Sequence, residues 1–70
     1  MSAQNVYKKL ELVGSSTTSI EEAIHNAIDA ASETVKNVEW FEVMETRGHV
    51  EDGKVAHFQV VVKVGFRIDK

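Results

Sequence analysis

The spacing of hydrophobic residues changes once along this chain, and the change limits what the chain can fold into. Over residues 20–35, hydrophobic side chains recur every three or four positions, which predicts a helix with one apolar stripe. Over residues 38–68 they recur at close to every second position, which predicts β-strands. Asp52-Gly53 interrupts this second segment, and Asp-Gly between two strand-like runs is a strong hairpin signal.

Both ends of the predicted helix carry recognisable signals. Ser19 followed by Glu22 fits a capping box, in which each side chain accepts a hydrogen bond from a backbone N–H that the helix leaves unpaired. Asn37 is expected to cap the C-terminal end. The apolar stripe should pack on a sheet, and its small alanines allow a close approach. Its members are Ile20, Ala23, Ile24, Ala27, Ile28, Ala31 and Val35.

The order of the predicted elements is strand, helix, strand, strand. The first strand covers residues 6–13, and a polar loop over residues 14–18 leads to the helix. The two later strands cover residues 38–50 and 55–68. This βαββ order predicts an α+β fold, with one helix on one face of a three-stranded antiparallel sheet.

The chain is small for a fold that stands alone. It has 70 residues and no cysteine, so disulfides and cysteine-ligated metal sites are excluded. Domains of this size usually need a further source of stability, and association with copies of the same chain is the one that remains. We expect one domain over residues 1–70, with residues 1–5 flexible, that forms a homo-oligomer.

Composition argues against several classes of partner. The net charge of -3 disfavours a general nucleic-acid-binding protein, which would carry a basic face. No apolar run approaches the ~20 residues that span a bilayer, and the N-terminus lacks the hydrophobic segment of a secretion signal. We therefore expect no membrane partner, and a cytoplasmic location by default.

The sequence contains no recognisable catalytic or metal-binding motif. His25, His49 and His57 lack metal-ligand spacing. His49 and His57 flank the hairpin, where they would form a surface pair or a pH-sensitive contact. Glu42 and Glu45 are expected on opposite faces of their strand, as solvated or interfacial charges. We therefore expect a protein that is not an enzyme and has no metal ligands.

Alternation along the strands separates a face that packs on the helix from one that does not. The helix-packed row of the last strand is apolar throughout, and Phe41 and Val43 are its expected core partners in the preceding strand. Trp40 and Gln59 project together from the opposite face. A hydrophobic patch beside polar groups marks either a protein interface or a ligand site, and both hypotheses stay open. The patch consists of Val38, Trp40, Met44 and Val61.

Four segments together resemble the bacterial dodecins, a family of flavin-binding proteins. The resemblance covers residues 6–69 in order and without a large gap. It implies βαββ subunits whose sheet partly wraps around the helix and which assemble as a hollow homododecamer with cubic symmetry. The segments are VYKKLELVGSS at 6–16, SIEEAI at 19–24, EWFEVMETRG at 39–48 and FQVVVKVGFR at 58–67.

The resemblance also implies a site in which paired flavins stack between symmetry-related tryptophans at subunit contacts. Trp40 matches the stacking residue, and Gln59 matches the residue that hydrogen-bonds the polar edge of the ring. Arg47 matches a position that covers the ligand, and Arg67 matches one near its phosphate end.

FMN is the flavin expected from the resemblance, with riboflavin or FAD as alternatives and coenzyme A as a ligand of some relatives. A stacked tryptophan can quench excited flavin by electron transfer, so the implied function is flavin storage and photoprotection. A structural homo-oligomer without cofactor is the alternative hypothesis.

Arg47 does not fit strict alternation along its strand. Counting by twos places it on the face of Phe41 and Val43, away from Trp40. Either the strand bulges before Gly48, or Arg47 reaches a ligand from a neighbouring subunit. Arg67 shares the face of Gln59, where an interface salt bridge is the alternative to a ligand contact.

Overall fold

A computed structural model describes residues 4–68 of the chain. β1 (Tyr7–Ser16) is followed by α1 (Ile20–Thr34), β2 (Val38–Glu51) and β3 (Lys54–Arg67). Both strand pairings are antiparallel, and β3 lies between the other two in the order β1-β3-β2. The predicted βαββ fold is confirmed. Within residues 4–68, no helix is long and apolar enough to cross a membrane.

The first strand is longer than predicted. β1 continues to Ser16, beyond the predicted end at residue 13, so most of the expected loop is strand. Gly14 makes this possible, because a Cβ at this position would lie 2.2 Å from the carbonyl oxygen of Ala23 in α1. Of the residues expected to be flexible, 1–3 lie outside the described part of the chain. Gln4 and Asn5 are exposed ahead of β1.

The helix begins at the predicted cap and ends earlier than predicted. The backbone N–H of Glu22 donates to Ser19 Oγ at 3.0 Å, as a capping box requires. The Glu22 carboxylate instead accepts from the Ser16 hydroxyl at 2.5 Å, because β1 brings that hydroxyl to the first turn. At the other end Val35 is the cap, and Asn37 lies beyond it with φ of 64°. The prediction that Asn37 caps the helix was wrong.

The core lies between α1 and β3. Val60, Val62 and Val64 of β3 are each 0% exposed, and burial of a valine side chain contributes about 1.5–3 kcal/mol. The helix meets them with its buried alanines, flanked by isoleucines that are partly buried. The apolar stripe is therefore as predicted except for Val35, which caps the helix and is not part of this core. The helix residues in this core are Ile20, Ala23, Ile24, Ala27, Ile28 and Ala31.

β2 is only loosely covered by the helix. α1 packs mainly on β1 and β3, so it covers the part of the sheet away from β2. Phe41 and Val43 sit opposite Val64 and Val62, but their exposed fractions are 47% and 42%. The prediction that they are buried core partners was wrong for the single chain.

The β2–β3 hairpin extends past the rest of the molecule. The last pair between β1 and β3 joins Ser16 to Phe58, so residues 49–57 form a two-stranded arm. Its turn has φ of 53° at Asp52 and 74° at Gly53, as expected for a type I′ hairpin. The chain measures 55 × 20 × 14 Å. Its radius of gyration is 14.6 Å, whereas a compact chain of this length would have about 11 Å.

Candidate functional site

Irregularities in β2 decide which side chains share the sheet face opposite α1, here called the helix-free face. The pairing with β3 shifts at Glu39 and again at Met44, and each extra residue reverses the alternation beyond it. As a result, Val38 packs against the core and not on the helix-free face where it was predicted. Glu42 and Glu45, predicted on opposite faces, share one face. The helix-free side chains of β2 are Trp40, Glu42, Glu45, Arg47 and His49, opposite Gly65, Lys63, Val61, Gln59 and His57.

Trp40 lies flat on the sheet above Gly65. A Cβ built on Gly65 would meet Cε2 and Cζ2 of the indole at 2.2 Å and Cδ2 at 2.5 Å. Two of these atoms are the ring-fusion atoms, which can be approached together in this way only through the ring face. One face of Trp40 is therefore supported by backbone, and the other points away from the sheet.

Tyr7 lies beside this indole. It reaches Trp40 from β1, on the far side of the central strand, with ring centroids 5.3 Å apart and ring planes at 70°. An edge-on arrangement of this kind is a favourable aromatic contact. Tyr7 therefore restricts sideways movement of the indole.

The indole N–H is tied to a charged pair. Trp40 Nε1–H donates to Glu42 Oε2 at 2.9 Å, and the same oxygen lies 2.9 Å from Lys9 Nζ. The hydrogen bond from Lys9, and then that from Trp40, hold the pKa of Glu42 below its ordinary value. Glu42 is therefore a carboxylate at neutral pH, which fixes the rotation of the indole by accepting its only N–H. We call Tyr7, Lys9, Trp40 and Glu42 the tryptophan cluster.

Arg47 lies on the helix-free face beside Gln59. Its Nε–H donates to Gln59 Oε1 at 3.2 Å, and its Nη1 lies 2.6 Å from Glu45 Oε1. The shift at Met44 brings it there, so the first of the two alternatives left by the sequence is the one observed. Because an arginine has only donors, the amide oxygen of Gln59 faces it and the amide N–H groups are available elsewhere. We call Glu45, Arg47 and Gln59 the arginine cluster.

The two clusters lie far apart on one chain. Trp40 is opposite Gly65 and Arg47 is opposite Gln59, so about 20 Å of strand separates them at ~3.3 Å per residue. Arg67 belongs to the tryptophan end, where its Nη1 lies 2.8 Å from Glu39 Oε2. The sequence predicted that Trp40 and Gln59 project together. Both do lie on the helix-free face, but in a single chain they are far apart along it.

His49 and His57 face each other across the hairpin arm. They are directly paired, with ring centroids 4.5 Å apart and ring planes at 26°. Their predicted proximity is confirmed. The pair lies next to the arginine cluster along the strands.

Four residues of the tryptophan cluster and its support were missed in the sequence, and one of them, Glu42, was expected to be only a solvated or interfacial charge. Gly65 interrupts an apolar strand, which is a known signal for a close approach at that point and could have been used. Lys9 and Tyr7 come from β1, and nothing local to them indicates a contact with β2. Their role depends on β3 lying between β1 and β2.

Comparison with known proteins identifies the family of this fold. The dodecin family profile matches residues 6–69. The chain belongs to the dodecin family. The dodecin of Thermus thermophilus is 46% identical over 65 residues, which cover 93% of this chain and 94% of that protein. The dodecin structure from Streptomyces coelicolor matches with a TM-score of 0.93 at 42% identity, over 99% of each chain.

A more distant dodecin is described as a calcium-binding protein. The calcium dodecin of Mycobacterium tuberculosis matches with a TM-score of 0.79 at 29% identity, over 91% of each chain. That protein is a calcium chelating immunodominant antigen with a novel calcium-binding site. Within residues 4–68 of the present dodecin, no three His, Cys, Asp or Glu residues are grouped so that they could hold a metal ion.

Proposed function

We propose that this dodecin binds and sequesters flavin, with the ring of FMN or a related flavin stacked on Trp40 at contacts between subunits. The observation that carries the proposal is the flat indole above Gly65. One face of Trp40 is backed by main chain, and the outward face is a ready platform for a second flat ring. Stacking of aromatic rings adds about 0.5–1.5 kcal/mol beyond the burial of their area.

The polar groups around the two clusters fit the remainder of a flavin. The pyrimidine part of the ring carries both carbonyl and N–H groups, and the amide of Gln59 has N–H donors to offer it. Arg47 Nε–H donates to the oxygen of that amide at 3.2 Å, which leaves the amide N–H groups to face a ligand. Arg67, at the tryptophan end, supports a phosphate, which a guanidinium binds with a fork of two donors.

A site containing both Trp40 and Gln59 needs two chains. About 20 Å of strand between the clusters is too long for one flavin ring to bridge. Subunit association brings the tryptophan end of one chain to the arginine end of another. We therefore propose that the binding unit is an assembly, and that the assembly is the homododecamer implied by the resemblance.

The shape of the single chain supports this association. Val50 and Val55, on the two-stranded arm, are 69% and 57% exposed, and an isolated hairpin is at best marginally stable in water. Phe41 and Val43 leave a second apolar surface beside α1. Exposed apolar surfaces on this scale are typical of protein interfaces.

The proposed activity is binding and quenching without catalysis. Beside Trp40, Glu42 is held by Lys9 and by the indole itself, so its carboxylate is engaged in positioning. Beside Gln59, the Arg47 guanidinium contacts Glu45 and the Gln59 amide oxygen, so it too is engaged in positioning. An electron-rich indole would quench an excited flavin stacked on it by electron transfer, and this favours storage and photoprotection in the cytoplasm.

Titration of FMN with the purified protein tests the proposal. We expect the fluorescence of FMN to be quenched at micromolar protein. Trp40→Ala should abolish most of the quenching, while the number of subunits in the intact assembly stays the same. Glu33→Ala is the control, since Glu33 is exposed on α1 and outside both clusters. Unchanged FMN fluorescence in the wild-type protein would remove the flavin proposal.

The second candidate function is a structural homo-oligomer without cofactor, favoured by the apolar surface of Phe41 and Val43. It predicts that Trp40→Ala reduces assembly and any ligand binding to the same extent. Native mass spectrometry of the wild-type and variant proteins, with and without FMN, separates the two candidates.

Comparison of ligands tests the proposed phosphate contact. FMN and riboflavin differ by one phosphate, so the ratio of their affinities reports on the cationic end of the site. We expect Arg67→Ala to lower the affinity for FMN more than that for riboflavin. FAD and coenzyme A, added as competitors, show whether the same surface accepts an adenine nucleotide.

A further inference from the structure

We propose that Glu42 and Lys9 set how readily Trp40 gives up an electron, with Glu42 promoting the loss and Lys9 restraining it. In one respect the inference rests on the proposed function, because the electron acceptor is the flavin stacked on Trp40. The effect itself belongs to the tryptophan cluster of the flavin-free protein.

The geometry joins the three side chains through a single atom. Glu42 Oε2 accepts the indole N–H of Trp40 at 2.9 Å and lies 2.9 Å from Lys9 Nζ. A hydrogen bond to a charged acceptor is shorter and stronger than one between neutral groups. The carboxylate therefore acts on the indole at contact distance, and the ammonium acts on the same carboxylate.

Stability is a poor explanation for this arrangement. The side chains of Lys9 and Glu42 are 46% and 39% exposed, and ion pairs at that exposure contribute little to folding. Glu42 is also partly exposed to water, so its charge does not require a hydrogen-bond donor from the protein. What the arrangement does supply is a fixed negative charge, the Glu42 carboxylate, at the nitrogen of the single tryptophan in the chain.

That charge has a direct consequence for oxidation of the indole. Removal of one electron from Trp40 leaves a positive charge spread over the ring and its nitrogen. A carboxylate 2.9 Å from Nε1 lowers the energy of this cation by Coulomb attraction. Lys9, on the other side of the same oxygen, opposes the effect because its charge repels the cation.

The electron balance of the step is simple. Trp40 passes one electron to the photoexcited flavin, and the same electron then returns to Trp40. No bond is broken and no atom leaves, so Trp40 ends as the neutral indole. Glu42 acts during the interval between the two transfers, when the indole is positively charged. It is a positioning and tuning residue, since it acts through its contact with Trp40.

The oxidation potential of Trp40 in the flavin-free protein tests the inference. It can be measured by voltammetry in a Tyr7→Phe background, because Tyr7 lies 5.3 Å away and is itself oxidisable. We expect Glu42→Gln, which keeps an oxygen acceptor but removes the charge, to make Trp40 harder to oxidise. Lys9→Met should make it easier. Shifts of the same sign, or no shift, would overturn the inference.

The excited-state lifetime of bound FMN gives a second readout. We expect Glu42→Gln to lengthen the lifetime several-fold and Lys9→Met to shorten it. A purely structural role predicts that both variants loosen the indole and lengthen the lifetime, which would also overturn the inference. If the wild-type protein binds no flavin, the proposed function fails, and the oxidation potentials still decide the role of Glu42 and Lys9.

Discussion

The face of the Trp40 indole occupies the position that a side chain on Gly65 would need. A Cβ on Gly65 would lie 2.2 Å from two ring atoms, far inside the contact distance that real atoms tolerate. The only glycine of β3 beyond the turn is therefore the floor beneath the only tryptophan. The platform proposed for flavin therefore depends on the absence of a side chain at Gly65 as much as on the indole of Trp40.

Gly65→Ala should displace the indole and weaken flavin binding at least tenfold. The strand itself tolerates alanine, which in a strand interior is favoured over glycine by about 0.5–1 kcal/mol. We therefore expect the unfolding midpoint to stay the same or rise. A red shift of Trp40 emission in the flavin-free protein would report the movement of the ring. Ser32→Ala, an exposed change on α1, is the control, and full flavin affinity in Gly65→Ala would contradict the proposed stacking.

Acidification should release Trp40 from Glu42. Because the pKa of Glu42 is lowered from 4.5, its ion-paired form is present above that pH and is lost as the pH falls through the lowered value. Trp40 fluorescence should therefore change with a midpoint below pH 4.5. Lys9 is the largest cause of the shift, so Lys9→Met should raise the midpoint.

Glu42→Gln serves as the control for this titration, since it removes the titrating group next to the indole. The low-pH transition of Trp40 fluorescence should disappear in that variant. A wild-type midpoint at or above pH 4.5 would show that the contacts of Glu42 with Lys9 and Trp40 do not persist in solution.

Arg47 should act on flavin through Gln59. Its Nε–H holds the amide oxygen, and a hydrogen bond of this kind contributes about 0.5–1.5 kcal/mol, or roughly 2- to 13-fold in affinity. We expect Arg47→Met and Gln59→Ala each to weaken FMN binding by such a factor. Residues that act through one network do not add, so the double variant should be little weaker than Gln59→Ala alone. Additive losses, measured by fluorescence titration, would mean that Arg47 contacts the ligand independently.

Two glycines should be sensitive to alanine for different reasons. At Gly14 a Cβ would collide with the backbone of Ala23 in α1, and overpacking of this kind costs about 1–3 kcal/mol. At Gly53 a Cβ would meet nothing within 4 Å, but φ is 74°, and an ordinary residue there costs about 1–2 kcal/mol. Denaturant unfolding should show a lower free energy of unfolding in both variants. Only Gly14→Ala should change the contact between β1 and α1, detectable as faster amide exchange in both elements.

The local features of this dodecin could be predicted because each depends on neighbours in sequence. The cap at Ser19 needs only the N–H of Glu22, three residues ahead. The hairpin needs only Asp52 and Gly53, which adopt positive φ at little cost. The proximity of His49 and His57 follows from that turn, but their direct pairing needs an extra residue, Ala56, in β3. The assignment of Trp40 and Gln59 to the helix-free face also follows from period-two alternation on either side of the hairpin.

The predictions that were wrong concern side chains whose positions depend on residues distant in sequence. Val38, Glu45 and Arg47 changed faces because β2 contains extra residues opposite β3, and period-two counting assumes that there are none. Phe41 and Val43 were placed in a core that the helix does not cover. Their expected burial rested on strand pattern alone, whereas coverage depends on the order of the strands.

The sequence by itself determined the order of the elements and the face of α1 that is buried. Those properties follow from periodicity and from contacts a few residues apart. Only the tertiary structure decided that Gly65 supports Trp40, that Lys9 and Glu42 meet at the indole nitrogen, and that Gln59 lies about 20 Å away. The reason is that the order β1-β3-β2 and the register shifts in β2 are settled by packing between strands, to which no short segment of sequence has access.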